Sequence, residues 1–275
     1  MAMDELLLAH QNTIRLVAFF GIFAVMASWE IVAARRPRGA TRGRRWPGNI
    51  GIVVLNTLVL RLAFPLTAVA WAEFVATRGI GVLNLVTLPP VVALPLAVVL
   101  LDLAIWAQHV VFHRVPLLWR LHRMHHADVD LDVTSGARFH PIEILLSMIV
   151  KFAVIALLGA PAAAVLVFEV LLNACAMFNH ANVRIAGPVD ALLRRLIVTP
   201  DMHRVHHSVV PAETDSNFGF CLSCWDRIFG TYRAEPAAGQ LGMTIGLETF
   251  RAPDEARLDR LITQPFRNDQ AVAAP

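Results

Sequence analysis

Residues 91–126 read VVALPLAVVLLDLAIWAQHVVFHRVPLLWRLHRMHH. From Val91 to about residue 112 the run carries one charge, Asp102, and it follows Pro89-Pro90. A helix needs roughly 20 apolar residues to cross a bilayer, and this run supplies them. It ends in His109-Val-Val-Phe-His113, with His122-Arg-Met-His125-His126 close behind. The stretch therefore reads as a membrane-spanning helix that delivers imidazoles to one membrane surface. The rest of the chain agrees. Its 275 residues are 56% hydrophobic and 16% charged, with eleven histidines against one tyrosine. Mean hydropathy is +0.57, whereas soluble domains carry about a quarter charged residues.

Three more apolar runs flank this one. Residues 14–34 form a first span, with Asp4 and Glu5 before it where a secretory signal would be basic, and Arg35-Arg36-Pro37-Arg38 after it. Residues 50–75 form a second, containing Arg61 and Pro65, and residues 142–178 a last run interrupted by Lys151, Gly159, Pro161 and Glu169. Six arginines between positions 35 and 45 follow the first span, and positive loops stay cytoplasmic. The run 91–112 then returns to the cytoplasmic side. If 142–178 is two short spans of about 17 residues each, or a re-entrant hairpin, turning at Gly159-Ala160-Pro161, His180 joins the other histidines on that side. The expectation is an all-α integral membrane bundle of four to five spans, or with a re-entrant hairpin, under a cytoplasmic histidine-rich cap. Residues 188–198 (PVDALLRRLIV) alternate apolar and basic positions as a helix lying on the membrane or packed in the cap. From about residue 251 the charges, Pro and Ala predict a loosely held tail. The domains read as 1–94, N-terminal spans; 95–232, catalytic; and 233–275, cytoplasmic tail.

Cys175, Cys221 and Cys224 cannot all pair within one chain, so no disulfide framework is expected. Nothing in the charge pattern points to nucleic acid. The histidines carry the chemistry. His109 and His113 share a helical face. His122-Arg-Met-His125-His126 and His203-Arg-Val-His206-His207 repeat the pattern HRxHH, and Phe178-Asn-His180-Ala-Asn182 adds one more. Adjacent histidines point two ways, which suits two neighbouring metals. Without metal, so many clustered imidazoles would leave buried polar groups unsatisfied. Imidazole suits Zn, Cu, Fe and Ni, and nine are too many for one ion. No HExxH motif marks a zinc protease, and no paired ExxH motifs mark a carboxylate-bridged di-iron bundle. Iron is favoured because two redox metals can activate O2; spacing alone leaves zinc and manganese open.

In order along the chain, HxxxH, HxxHH and a later HxxHH resemble the histidine boxes of the sterol desaturase/fatty acid hydroxylase superfamily. Arg138-Phe-His-Pro-Ile-Glu143, Phe178-Asn-His-Ala-Asn-Val183, Thr199-Pro-Asp-Met-His203 and Trp225-Asp-Arg-Ile-Phe-Gly-Thr-Tyr232 look like its bacterial members, so the resemblance covers residues 95–232. It implies a non-haem di-iron centre ligated by His109, His113, His122, His125, His126, His180, His203, His206 and His207. His140 lies outside the boxes and is either a tenth ligand or a partner of the ligands. Asp128, Asp130, Asp132, Asp201 and Asp226 sit beside the boxes as further candidates to hold them. Asp102, Glu169 and Asn173, at helical offsets from His109 and His180, are placed to orient imidazoles, line a channel or bond between helices.

The expected activity is O2-dependent hydroxylation or desaturation of a membrane lipid at two irons. The lipid would enter from the bilayer. His140-Pro141 lacks the following Gly-Gly of a cytochrome b5 module, so an external donor of ferredoxin or cytochrome b5 type is expected. The setting is a bacterial inner membrane, or the endoplasmic reticulum in a eukaryote. The alternatives are a di-metal membrane hydrolase and a membrane metal-binding or transport protein; a transporter would place its ligands near mid-membrane, not at span ends.

Overall fold

The computed structural model describes residues 3–268, which form helices and, among the described residues, three isolated bridges but no strand. A short α1 (Met3–Ala9) precedes α2 (Gln11–Val32). The second apolar run is broken, into α3 (Arg42–Ala63), α4 (Ala68–Thr77) and the single turn α5 (Val82–Leu85). Next come α6 (Pro90–Arg114), α7 (Pro116–His126), α8 (Pro141–Leu158) and α9 (Ala162–His180). The short helices α10 (Gly187–Leu193) and α11 (Pro200–His206) begin the cap. Among the described residues five segments are long and apolar enough to cross a membrane, and the chain is an integral membrane protein.

The 142–178 run does turn at Gly159, which takes the left-handed conformation (φ 66°) that ends α8, and Pro161 then caps α9. An added Cβ on Gly81 would lie 2.1 Å from the Gly159 backbone nitrogen, so two glycines let α5 close against this turn. The break in the second run falls at Phe64–Thr67 around Pro65, which cannot donate to a helix ladder. α3 and α4 nonetheless complete one descent along α8. Asn56 donates to the Phe139 carbonyl at the head of α8 (2.8 Å), and Phe64 and Trp71 both pack on Phe152 midway (5.4 and 5.5 Å).

Ala68, Val69, Ala72, Ala97, Leu101, Ala164 and Phe168 form the main core, where small side chains let α4, α6 and α9 approach closely. Outside it, Leu62, Val91, Leu157 and many other apolar side chains are exposed, as a lipid-facing surface requires. The α6–α7 break is set by Pro116, which forces Val115 out of the helical region (ψ 114°). The histidines of α7 thereby fold back over the end of α6.

Two expectations need correction. Residues 251–268 are not loose. Leu261 packs fully buried against Ile52 and Met124, and Arg120 and Arg123 donate to the Pro265 and Gln264 carbonyls. The arginines between positions 35 and 45 also have structural roles. Arg45 is 1% exposed and binds Asp128 and Asp132, Arg35 binds Asp201, and Arg42 binds Glu30, so these charges fasten the cap to the spans. The helix expected at 188–198 stops at Leu193, but Val189, Leu192 and Leu196 stay exposed beside it.

Candidate metal centre

Four helices deliver nine imidazoles to one end of the bundle. α6 brings His109 and His113; α7 brings His122, His125 and His126; α9 ends on His180; and α11 brings His203 and His206, with His207 just beyond it. α11 is started by Thr199, whose side chain accepts from the Met202 N–H, and by Pro200 in the first turn. The ring nitrogens fall into two groups, each within 4.8 Å: His109, His113, His122, His126 and His206, and then His125, His180, His203 and His207. Both adjacent pairs, His125-His126 and His206-His207, divide between the groups, because successive helical residues project about 100° apart. The groups abut, with His126 stacked on His207 at 4.5 Å.

The hydrogen bonds settle the tautomers. A carbonyl only accepts, so a ring nitrogen facing one must carry the hydrogen. The Nδ1–H of His109 donates to Phe218 O (2.8 Å), of His125 to Arg138 O (3.2 Å), of His180 to Ala176 O (2.7 Å) and of His206 to Ser216 O (2.7 Å). His122 Nδ1–H donates to the Glu143 carboxylate at 2.7 Å. The four rings that face carbonyls then present a bare lone pair at Nε2. Yet His109 Nε2 lies 3.0 Å from His206 Nε2, and His180 Nε2 lies 3.0 Å from His125 Nε2. No hydrogen is available between these nitrogens, and facing lone pairs repel unless a cation lies among them.

His113 Nε2 and His126 Nε2 are buried with no hydrogen-bond partner, which buried polar atoms rarely tolerate, and His203 Nε2 and His207 Nε2 lie 3.1 and 3.2 Å from His180 Nε2. Burial, then neighbouring imidazoles, pushes His125, His126, His203 and His207 well below the ordinary histidine range, and His206 to about 3. They are neutral near pH 7, the form that ligates. The residues present fit metal ions, one to each group.

The carboxylates expected beside the imidazoles work one step further out. Asp226 accepts from the Phe218 and Gly219 N–H groups (2.8 and 2.9 Å) and from Thr231 (2.6 Å), fixing the loop whose Phe218 carbonyl holds His109. Asp128 binds Arg45 and Ser135 and lies 3.6 Å from Arg138, whose carbonyl holds His125. Burial would raise its pKa, but Arg45 and Arg138 outweigh that and hold it below the usual carboxylate range. Asp132 binds Arg45, Trp46 and Thr134; Asp130 accepts from the Ala40 N–H; and Asp201 pairs with Arg35 and Arg204.

Asp102 neither orients an imidazole nor lines a channel. It accepts from the Cys221 and Leu222 N–H groups and the Trp225 indole, anchoring a cap loop to α6. His140 is no tenth ligand. It precedes Pro141 at the head of α8, its Nδ1 accepts from the Ile142 N–H and its Nε2–H donates to Ile262 O, outside both groups. The contact missed from sequence is Glu143 on His122: it lies in the quoted Arg138–Glu143 segment, but no spacing rule pairs it with a residue 21 positions away.

Below the histidines lies a cavity of about 400 Å³, walled by α3, α6, α8 and α9. His109 and His122 reach it from above; Phe112, Phe139, Ile144 and Met148 form apolar wall. Glu169 and Asn173 also line it.

Comparison with known proteins agrees with this geometry. The chain is 32% identical over 152 residues to ornithine lipid hydroxylase OlsE of Rhizobium tropici, covering 54% of this chain and 45% of that protein. It is 32% identical over 145 residues to alkylglycerol monooxygenase of Homo sapiens, covering 52% and 31%, and 28% identical over 151 residues to that of Danio rerio, covering 54% and 32%. The chain thus spans less than half the length of these curated relatives. No solved structure matches. The sequence profile described as "Fatty acid hydroxylase" matches residues 94–231, half of the chain and the stretch that holds all nine histidines, and the chain belongs to that family.

Proposed function

We propose that this protein is a lipid oxidoreductase that hydroxylates or desaturates a membrane lipid with O2 at a di-iron centre held by the nine histidines. One observation carries the reading: nine buried imidazoles gather in two abutting groups directly above a mostly apolar cavity among the spans. The relatives named for ornithine lipid and alkylglycerol support a lipid substrate. Two irons would supply the oxidising chemistry that no side chain here can perform. The chain's own residues do the rest. The carbonyls of Phe218, Arg138, Ala176 and Ser216 and the Glu143 carboxylate lock five rings with Nε2 inward. Phe112, Phe139 and Phe220 screen the site from water, and the cavity positions the lipid under His109 and His122. Electrons come from an external protein of ferredoxin or cytochrome b5 type, docking on a cap that faces the cytoplasm.

Metal analysis of the purified chain tests this. About two irons per chain are expected; two zincs from iron-replete cells would overturn the reading. His125→Ala should abolish product formation while the protein stays membrane-inserted. Retained turnover would remove His125 from the ligand set.

A further inference from the structure

The cavity, though mostly apolar, carries polar groups that hydrocarbon alone would leave unused. Glu143, Ser147 and Lys151 recur every four residues along α8, so they form one stripe that runs about 12 Å down from the histidines. On α9, Asn173 and Glu169 lie below His180 on the facing wall, and Lys151 meets Glu169 at 3.0 Å, with Arg15 closing on the other carboxylate oxygen at 2.5 Å. These ionic groups form a floor. Ionisable and amide side chains within spans are costly and mark sites where polar matter is handled.

Three oxygens at the upper, histidine end of this cavity have no partner. Asn56 Nδ2 donates to Phe139 O, which leaves its Oδ1 unbonded; Gln108 Nε2 donates to Ser147, which leaves its Oε1 unbonded; and Glu143 spends Oε1 on His122, which leaves Oε2 unbonded. Asn56 and Glu143 are 7% and 4% exposed. All three residues line the cavity, from three different helices, and all three orphan atoms are acceptors. A buried acceptor without a donor is destabilising, so each of these oxygens calls for an N–H or O–H group, which a bound ligand can bring in place of water.

We propose that the cavity binds the polar headgroup of its lipid, with hydroxyl or ammonium donors against Asn56, Gln108 and Glu143, and that the carbon oxidised adjoins this headgroup. The ionic floor, where Lys151 meets Glu169, disfavours an acyl chain running straight down the bundle. This names the substrate class for the lipid oxidation proposed above, and rests on that reading for which carbon reacts.

The test measures binding alone, by native mass spectrometry of the purified 275-residue chain with no electron donor present. The probes share one chain: hexadecyl glycerol ether with hydroxyl donors, hexadecylamine with an ammonium donor, and hexadecyl methyl ether with none. At least one donor-bearing probe should bind about tenfold tighter than the methyl ether. The tighter of the two identifies the donor as hydroxyl or ammonium. Gln108→Met, which leaves the Asn56 contact to α8 in place, and Asn56→Leu should each remove most of that preference while methyl ether binding and iron content stay unchanged. Equal binding of all three probes, or an undiminished preference in both variants, would overturn the proposal. Because no turnover is involved, such a failure is separate from a failure of the metal count or of product formation.

Discussion

His122 leans on another side chain, Glu143 at 2.7 Å, and His113 Nδ1 faces Asp215 at a longer 3.4 Å, whereas four other rings lean on backbone carbonyls that mutation cannot remove. Glu143→Leu should therefore lower metal affinity by about 10–100-fold, read as faster iron loss to a chelator. Glu143→Gln, which keeps an acceptor oxygen, should lose much less. Protonation is the second residue-scale effect. The folded chain resists protonating His206 until about pH 3, because of burial and then the nearby His122, while an unfolded histidine takes its proton near pH 6.5. Between those values the unfolded state binds more protons, so the stability contributed by His206 is complete above about pH 6.5 and is lost as pH falls toward 3. His125, His126, His203 and His207 are shifted in the same direction. Thermal unfolding of chelator-treated protein should come at lower temperature near pH 5.5 than near pH 7.5, and an unchanged midpoint would contradict the burial of these rings.

Among the elements, α3 owes its hold on the cap to Arg45, whose guanidinium reaches Asp128, Asp132 and Ser135 from inside a buried network. Arg45→Met leaves two buried carboxylates short of their cation and should destabilise the fold by about 3–5 kcal/mol. The loss should appear as a drop in folded, monodisperse protein after detergent extraction. At the opposite end of the bundle, Gly159 combines a left-handed φ with contacts of 2.7 Å from a built Cβ to Asn84 and 2.8 Å to Ile80 O. Gly159→Val should cost more than the roughly 1–2 kcal/mol of left-handed strain alone, because Ile80 O is backbone and cannot swing aside. A melting temperature equal to that of the unaltered protein would remove this turn as the feature that pairs α8 with α9.

At the scale of the whole molecule, the two spans that carry ligand candidates, α6 and α9, bring them to the same end as α7 and α11, and that side is proposed to face the cytoplasm. A fluorescent protein fused after residue 275 should then fluoresce in bacterial cells, and a dark, folded fusion would place the cap outside. By itself the sequence determined a great deal: the membrane class, the turn at Gly159, the assignment of all nine histidines to one end, and the split of His125 from His126. These are local properties, since apolar length, proline and glycine positions and helical periodicity act over a few residues. Other features rest on groups brought together from 20 to more than 100 positions apart, and only the tertiary structure decided them. Glu143 meets His122, Asp226 acts on His109 through the Phe218 carbonyl, and residues 251–268 dock on α3 and α7. His140 and Asp102 show the converse. Each sits at a suggestive spacing, but a side chain's direction depends on what packs against it, and here that is the head of α8 and a cap loop, not the metal groups.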